Sequence, residues 1–194
     1  RIRYWEVVAN LFWATVTIGQ AKVYVDHPVG SLIEYAKIGR RTSECEAELV
    51  RLLGGEEKAA EALPAPIPTS QLSLHDAPGP HEVLAGLQDL LKQQLAPQLK
   101  GHARFQALIA SSMLGILQRQ LALGPREQLL LETLSEQLSG PPIDSEAAAP
   151  AEALEAKLCE RIRGGEFDSG PARAVLLDFL SHVVRLKLDA DNPR

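Results

Sequence analysis

Ser73, His75 and Asp76 place a nucleophile, a base and an acid within one short proline-rich stretch. Members of a catalytic triad converge from separate chain segments so that each hydrogen-bonds the next, and near-neighbours in such a stretch do not hold that geometry. They read as polar residues of a solvated linker. His81-Glu82 opens like the zinc motif H-E-x-x-H, but Ala85 takes the fifth position, so the second imidazole is missing. Asp189, Asp191 and Asn192 resemble the start of a calcium loop without its glycine and distal glutamate, and read as an acidic helix end. No G-x-x-x-x-G-K, G-x-G-x-x-G or G-x-S-x-G pattern occurs, so phosphate cradles and nucleophile elbows are unsupported. The densest polar cluster is Arg161, Arg163, Glu166 and Asp168, around Gly164-Gly165. Its arginines either complement the negative end of a helix dipole or contact a carboxylate or phosphate. No catalytic, cofactor-binding or metal-ligating set is expected in the 194 residues.

The elements that would carry these residues are helical. Apolar residues recur at three- and four-residue spacing, and no stretch alternates with period two between hairpin turns, so the expected fold is all-α. A first helix is expected from Ile2 to Val25, ending before Asp26-His27-Pro28, and it is apolar on nearly every face between Val7 and Ile18. Ser31-Leu32-Ile33-Glu34 reads as a capping box that opens a second helix, whose stripe runs Tyr35, Ile38, Thr42, Cys45, Leu49, Leu52 to a stop at Gly54-Gly55. A two-helix hairpin follows, and it cannot by itself enclose Trp5, Phe12 and Trp13. Residues 56–80 contain five of the thirteen prolines and mark a linker. Beyond it, helices at 81–95, 101–123, 125–138, 151–163 and from Pro171 to Leu188 suit a five-helix bundle. In the second of these, Ala110, Ser111 and Gly115 would let another helix approach closely. The expected domains are thus the hairpin at 1–55, the linker at 56–80 and the bundle at 81–194.

Composition narrows the partners. Six of the nine aromatic residues lie in the first 35 positions, and the charge is +1 over residues 1–55 against −6 over residues 56–194. A pI near 5.6 with scattered arginines supplies no basic face for nucleic acid. The longest uncharged stretch, Val7–Ala21, is 15 residues and includes Asn10, Thr15, Thr17 and Gln20, too short and too polar to span a membrane. Cys45 and Cys159 have no C-x-x-C partner and read as reduced thiols, which points to the cytoplasm. The chain starts at Arg1 and its one methionine is Met113, so it is expected to be a fragment or a processed product.

"RYWEVVANLFWATVTIGQA" followed by "SLIEYAKIGRRTSECEAELVRLL" resembles the last two helices of the aminoglycoside phosphotransferase and choline kinase-like family. The resemblance rests on Tyr4-Trp5-Glu6, Trp13-Ala14, Gly39-Arg40-Arg41 and the run Glu44, Glu46, Glu48. It implies a kinase-like lobe upstream that carries the catalytic loop and binds ATP and magnesium, with Trp5, Phe12 and Trp13 packed against it. The family's H-G-D-x-x-x-x-N signature is absent here: His75-Asp76 lacks the intervening residue, and His81 stands at the fifth position after Asp76. From Pro80 onward the chain resembles a bacterial domain of unknown function, often fused behind such phosphotransferases and in some cases associated with acyl-CoA dehydrogenases. That resemblance is carried by Gly101, Phe105, Arg119, Ile162-Arg163, Asp168 and Asn192-Pro193, with Gln120 where an acidic residue is expected. Arg119, Arg161, Arg163 and Asp168 are therefore the candidate interaction residues. Two roles are expected from these resemblances: a non-catalytic end of a small-molecule phosphotransferase, or a module docking onto an acyl-CoA dehydrogenase-type partner or a second copy as a homodimer.

Overall fold

A computed structural model describes residues 2–26, 35, 36, 38, 40–59, 78–139 and 151–193. Among them there are six helices and no strand: α1 (Ile2–Asp26), α2 (Thr42–Leu53), α3 (Pro80–Asp89), α4 (Gly101–Ser139), α5 (Ala151–Arg163) and α6 (Gly170–Asp191). The all-α expectation is met. No helix of the described residues is long and apolar enough to cross a membrane.

α1 and α2 run antiparallel. The Arg3 guanidinium at the start of α1 donates to the Leu52 carbonyl at the end of α2 (2.9 Å from Nε), and the rings of Tyr24 and Tyr35 meet at 6.3 Å towards the other end. The seam on α1 is narrow: Thr17 is its one buried residue, and its hydroxyl donates back to the Trp13 and Ala14 carbonyls. The expected capping box at Ser31–Glu34 lies outside the described residues. α2 itself starts at Thr42, after a turn at Arg40-Arg41 in which the Arg41 N–H bonds to the Ile38 carbonyl at 3.1 Å. At its far end Gly54 adopts φ 99°, a left-handed conformation that glycine takes without a Cβ clash, and the Gly55 N–H closes onto the Val50 carbonyl at 2.8 Å.

α3 continues into a π-helical turn over Leu90–Leu95, completed by the Ala96 N–H on the Leu91 carbonyl at 2.9 Å. The helices expected at 101–123 and 125–138 are one helix, α4, 39 residues long with Pro125 inside it, so the bundle has four helices where five were expected. Proline removes one backbone bond and crowds the preceding turn. Leu123 and Leu134, each 3% exposed, bury on either side of that position, and this packing outweighs the lost bond.

The main apolar core forms where α4, α5 and α6 meet. Leu134, Leu154, Leu158 and Phe179 are its buried members, with Phe167, Leu176 and Leu180 packed against them. α3 lies on the first half of α4, where Gln88 and Ser111 exchange two hydrogen bonds, the amide to the Ser111 carbonyl (3.2 Å) and the hydroxyl to the Gln88 carbonyl (3.3 Å). Gly115 leaves room there, since a Cβ on it would lie 2.7 Å from Gln88 Nε2. The small residues of α4 are thus used inside the chain. α6 is shared: one side meets α4 and α5, and another is covered by α2.

Candidate functional site at the end of the terminal helix

The last turns of α6 gather charge from three elements. The last carbonyls of a helix have no partner within it and carry the negative end of its dipole. Arg119, on α4, donates to one of them, the Ala190 carbonyl, at 2.7 Å from Nε. Burial pulls its guanidinium below the ordinary arginine value, with Asp191 acting in the opposite sense. Arg40, in the turn before α2, pairs with Asp191 at 3.0 Å and also donates to the Gln120 side chain. Asn192 donates to Glu44, and Lys187 pairs with Glu46 at 2.7 Å. Asp189, 5% exposed, is held by Arg185 one turn back at 2.7 Å. The acids at the end of α6 are therefore paired by arginines of this same chain, while Lys187 and Asn192 of α6 pair in turn with the glutamates of α2.

A cleft of about 720 Å³ opens beside this cluster, between α2 and α6. Glu44, Glu48 and Arg51 line one wall; Ser181, Arg185 and Leu188 line the other. Arg185 Nε is buried there with no hydrogen-bond partner among the described residues. Cys45, on α2, has its thiol pushed up by burial and by the neighbouring Glu44 and Glu46, which favours the neutral form.

The candidate residues from the sequence fall at two ends of one helix. Arg119 sits at the end of α6, whereas Arg161, Arg163 and Asp168 precede its start, about 30 Å away along a 22-residue helix. Arg161 makes a forked contact with Glu166 (2.6 Å from Nε) and lies over the Phe167 ring at 5.3 Å. Its hydrogen bond holds the Glu166 carboxyl below the usual carboxylate range. The fork spans the turn in which Gly165 adopts φ 81°, and a Cβ on Gly165 would lie 3.1 Å from Asp168 Oδ2. Arg163 and Asp168 are exposed. At α3, Glu82 accepts from the Gly79 N–H at 2.5 Å, so the glutamate of His81-Glu82 caps a helix. Ser73, His75 and Asp76 lie outside the described residues. No group of three or more His, Cys, Asp or Glu side chains that could hold a metal ion occurs among the described residues.

Trp5, Phe12 and Trp13 are on the outer face of α1 and are 64%, 63% and 60% exposed. Each contacts an aromatic neighbour in sequence or serves as one, Tyr4 against Trp5 at 5.3 Å and Phe12 against Trp13 at 6.3 Å. Sequence reasoning passed over Arg40 and Gln120 as site residues. The signal for them was Gln120 itself, a neutral side chain where an acid was expected and where Arg40 now donates.

Residues 97–194 match the family model described as Domain of unknown function (DUF6285). The chain belongs to the DUF6285 family. The match takes in α4, α5 and α6, and with them Arg119, Gln120, the Arg161 fork and the whole acidic end of α6; the hairpin and α3 precede it. The expected kinship with a domain of unknown function is met from Pro97 onward. No curated protein and no solved structure matches the chain. In DUF6285 terms, Arg40, Glu44 and Glu46 reach the family region from outside it.

Proposed function

We propose that this chain is a non-catalytic C-terminal portion of a small-molecule phosphotransferase of the aminoglycoside and choline kinase-like kind, with the DUF6285 region as its accessory bundle. One observation supports the reading: the outer face of α1 is apolar and uncovered, with Ile2, Tyr4, Trp5, Phe12, Trp13, Ile18 and Val23 each at least 59% exposed. Side chains of this size contribute an apolar surface on the order of 1,000 Å², larger than the 300–600 Å² patch usual on a monomer. In the proposal, a kinase-like lobe upstream covers this face, and ATP and magnesium bind in that lobe in the cytoplasm. Phosphoryl transfer rests on positioned charges and metal ions, so a part without them transfers nothing.

Calorimetric titration of the 194-residue chain with magnesium ATP is expected to give no binding heat, and the coding sequence ahead of Arg1 is expected to contain H-G-D-x-x-x-x-N. Tight, magnesium-dependent nucleotide binding by the chain, or an upstream sequence without that signature, overturns the reading. The same uncovered face favours a second reading, docking onto a second copy or an acyl-CoA dehydrogenase-type partner. Sedimentation separates it: a dimer that the triple substitution Trp5→Ser, Phe12→Ser, Trp13→Ser dissolves supports self-docking.

A further inference from the structure

The two sides of α6 are built on different chemistry. Towards α4 and α5 it contributes Phe179 to a core of buried leucines. Towards the hairpin it offers Lys187 to Glu46, Asn192 to Glu44 and Asp191 to Arg40, while Asp178 pairs with Lys58 at 2.5 Å and Arg173 donates to the Leu53 carbonyl at 2.9 Å. These groups stay partly wet: the Lys187 and Glu46 side chains are 50% and 31% exposed, and Arg40 is 35%. The apolar groups between the two helices are Ala47 and Val50 on α2 and Val184 and Leu188 on α6. Between the two helices the cleft of about 720 Å³ interrupts the packing, and Arg185 Nε is left without a partner on its wall. Close approach occurs at one end, where Gly55 abuts Ser181.

We propose that this side of α6 is a docking surface for an acidic helix, occupied reversibly by α2, so that the hairpin leaves and rejoins the DUF6285 region as a unit while the region stays folded. A contact made of partly exposed ion pairs around an open cleft resembles interfaces between mobile parts of a chain more than a core. Such pairs weaken with ionic strength, because the screening length falls from over ~10 Å at low salt to about 3 Å at 1 M. The hairpin moves together because Arg3 ties α1 to the end of α2.

Hydrogen exchange on the full 194-residue chain tests it. Raising sodium chloride from about 0.05 M to about 1 M is expected to speed exchange in α2 by about tenfold, with α4 and α5 unchanged. Lys187→Glu is expected to give the same acceleration at low salt, and adding Glu46→Lys to restore protection. Both side chains are exposed enough for the variants to fold. Exchange of α2 in step with α4 at every salt concentration, or no recovery in the double variant, overturns the proposal.

Discussion

At Gly55 an added Cβ would lie 2.4 Å from Val50 Cγ1 and 2.8 Å from Ser181 Oγ, and Ser181 is 1% exposed. Neither neighbour has room to withdraw, because Val50 is β-branched and Ser181 is tied to the Leu177 carbonyl at 2.7 Å. Gly55→Ala is expected to lower stability by about 1–3 kcal/mol, read as a lower urea midpoint. Asp178 gives a prediction in pH. The hydrogen bond from Lys58 holds its carboxyl below the ordinary value, with attraction to Lys58 and to His182 adding to it. The folded state then binds fewer protons than the unfolded one, so this contribution is complete above the unfolded aspartate value of about 4 and is lost as pH falls through the lowered folded value. NMR titration is expected to place Asp178 below a free aspartate, and Lys58→Ala to move it upward. Residues of this kind were half legible: the Arg161–Glu166 fork lies five positions apart and could be read locally, whereas Arg40 meets Gln120 and Asp191 across 80 and 151 positions, and the unexpected neutral residue at Gln120 does not by itself name Arg40 as its partner.

Helix positions followed from apolar spacing, and the residues that stop them were the less dependable guide. Gly54-Gly55 ends α2 as expected, because a left-handed residue there satisfies the last carbonyls. Gly124-Pro125 ends nothing, although the same residue types suggested a break. Burial on both flanks decides the outcome at that site, and burial is a property of the assembled helices. The consequence is testable: Pro125→Ala restores an N–H for the Leu121 carbonyl inside α4 and is expected to raise stability by up to about 3 kcal/mol, seen as a higher melting temperature. The stripe of Ala110, Ser111 and Gly115 was legible as a place of close approach. That α3 is the element that comes close depends on the pairing of helices, which spacing alone does not specify.

Over the whole molecule, apolar residues divide into a core that is needed for folding and a face that is not. Phe179→Ala, in the core, is expected to cost about 3–5 kcal/mol by urea titration. Trp5→Ser and Phe12→Ser, at 64% and 63% exposure, are expected to cost under about 1 kcal/mol while reducing binding of a hydrophobic dye. Equal losses at both places would mean that the face is covered. The all-α class was legible because periodicity is local. Which face of α1 turns outward was not, because that helix is apolar nearly all round and only its partner selects the buried side.

Lys187 reaches Glu46 from 141 residues further along the chain, and Arg40 waits 151 residues for Asp191. At roughly 5–20 residues per second on the ribosome, the hairpin emerges roughly 7 to 30 s before its support on α6 exists. Throughout that interval the aromatic side of α1 and the acidic side of α2 are both bare. Newly made chains therefore offer a binding surface to chaperones that finished chains show only in part.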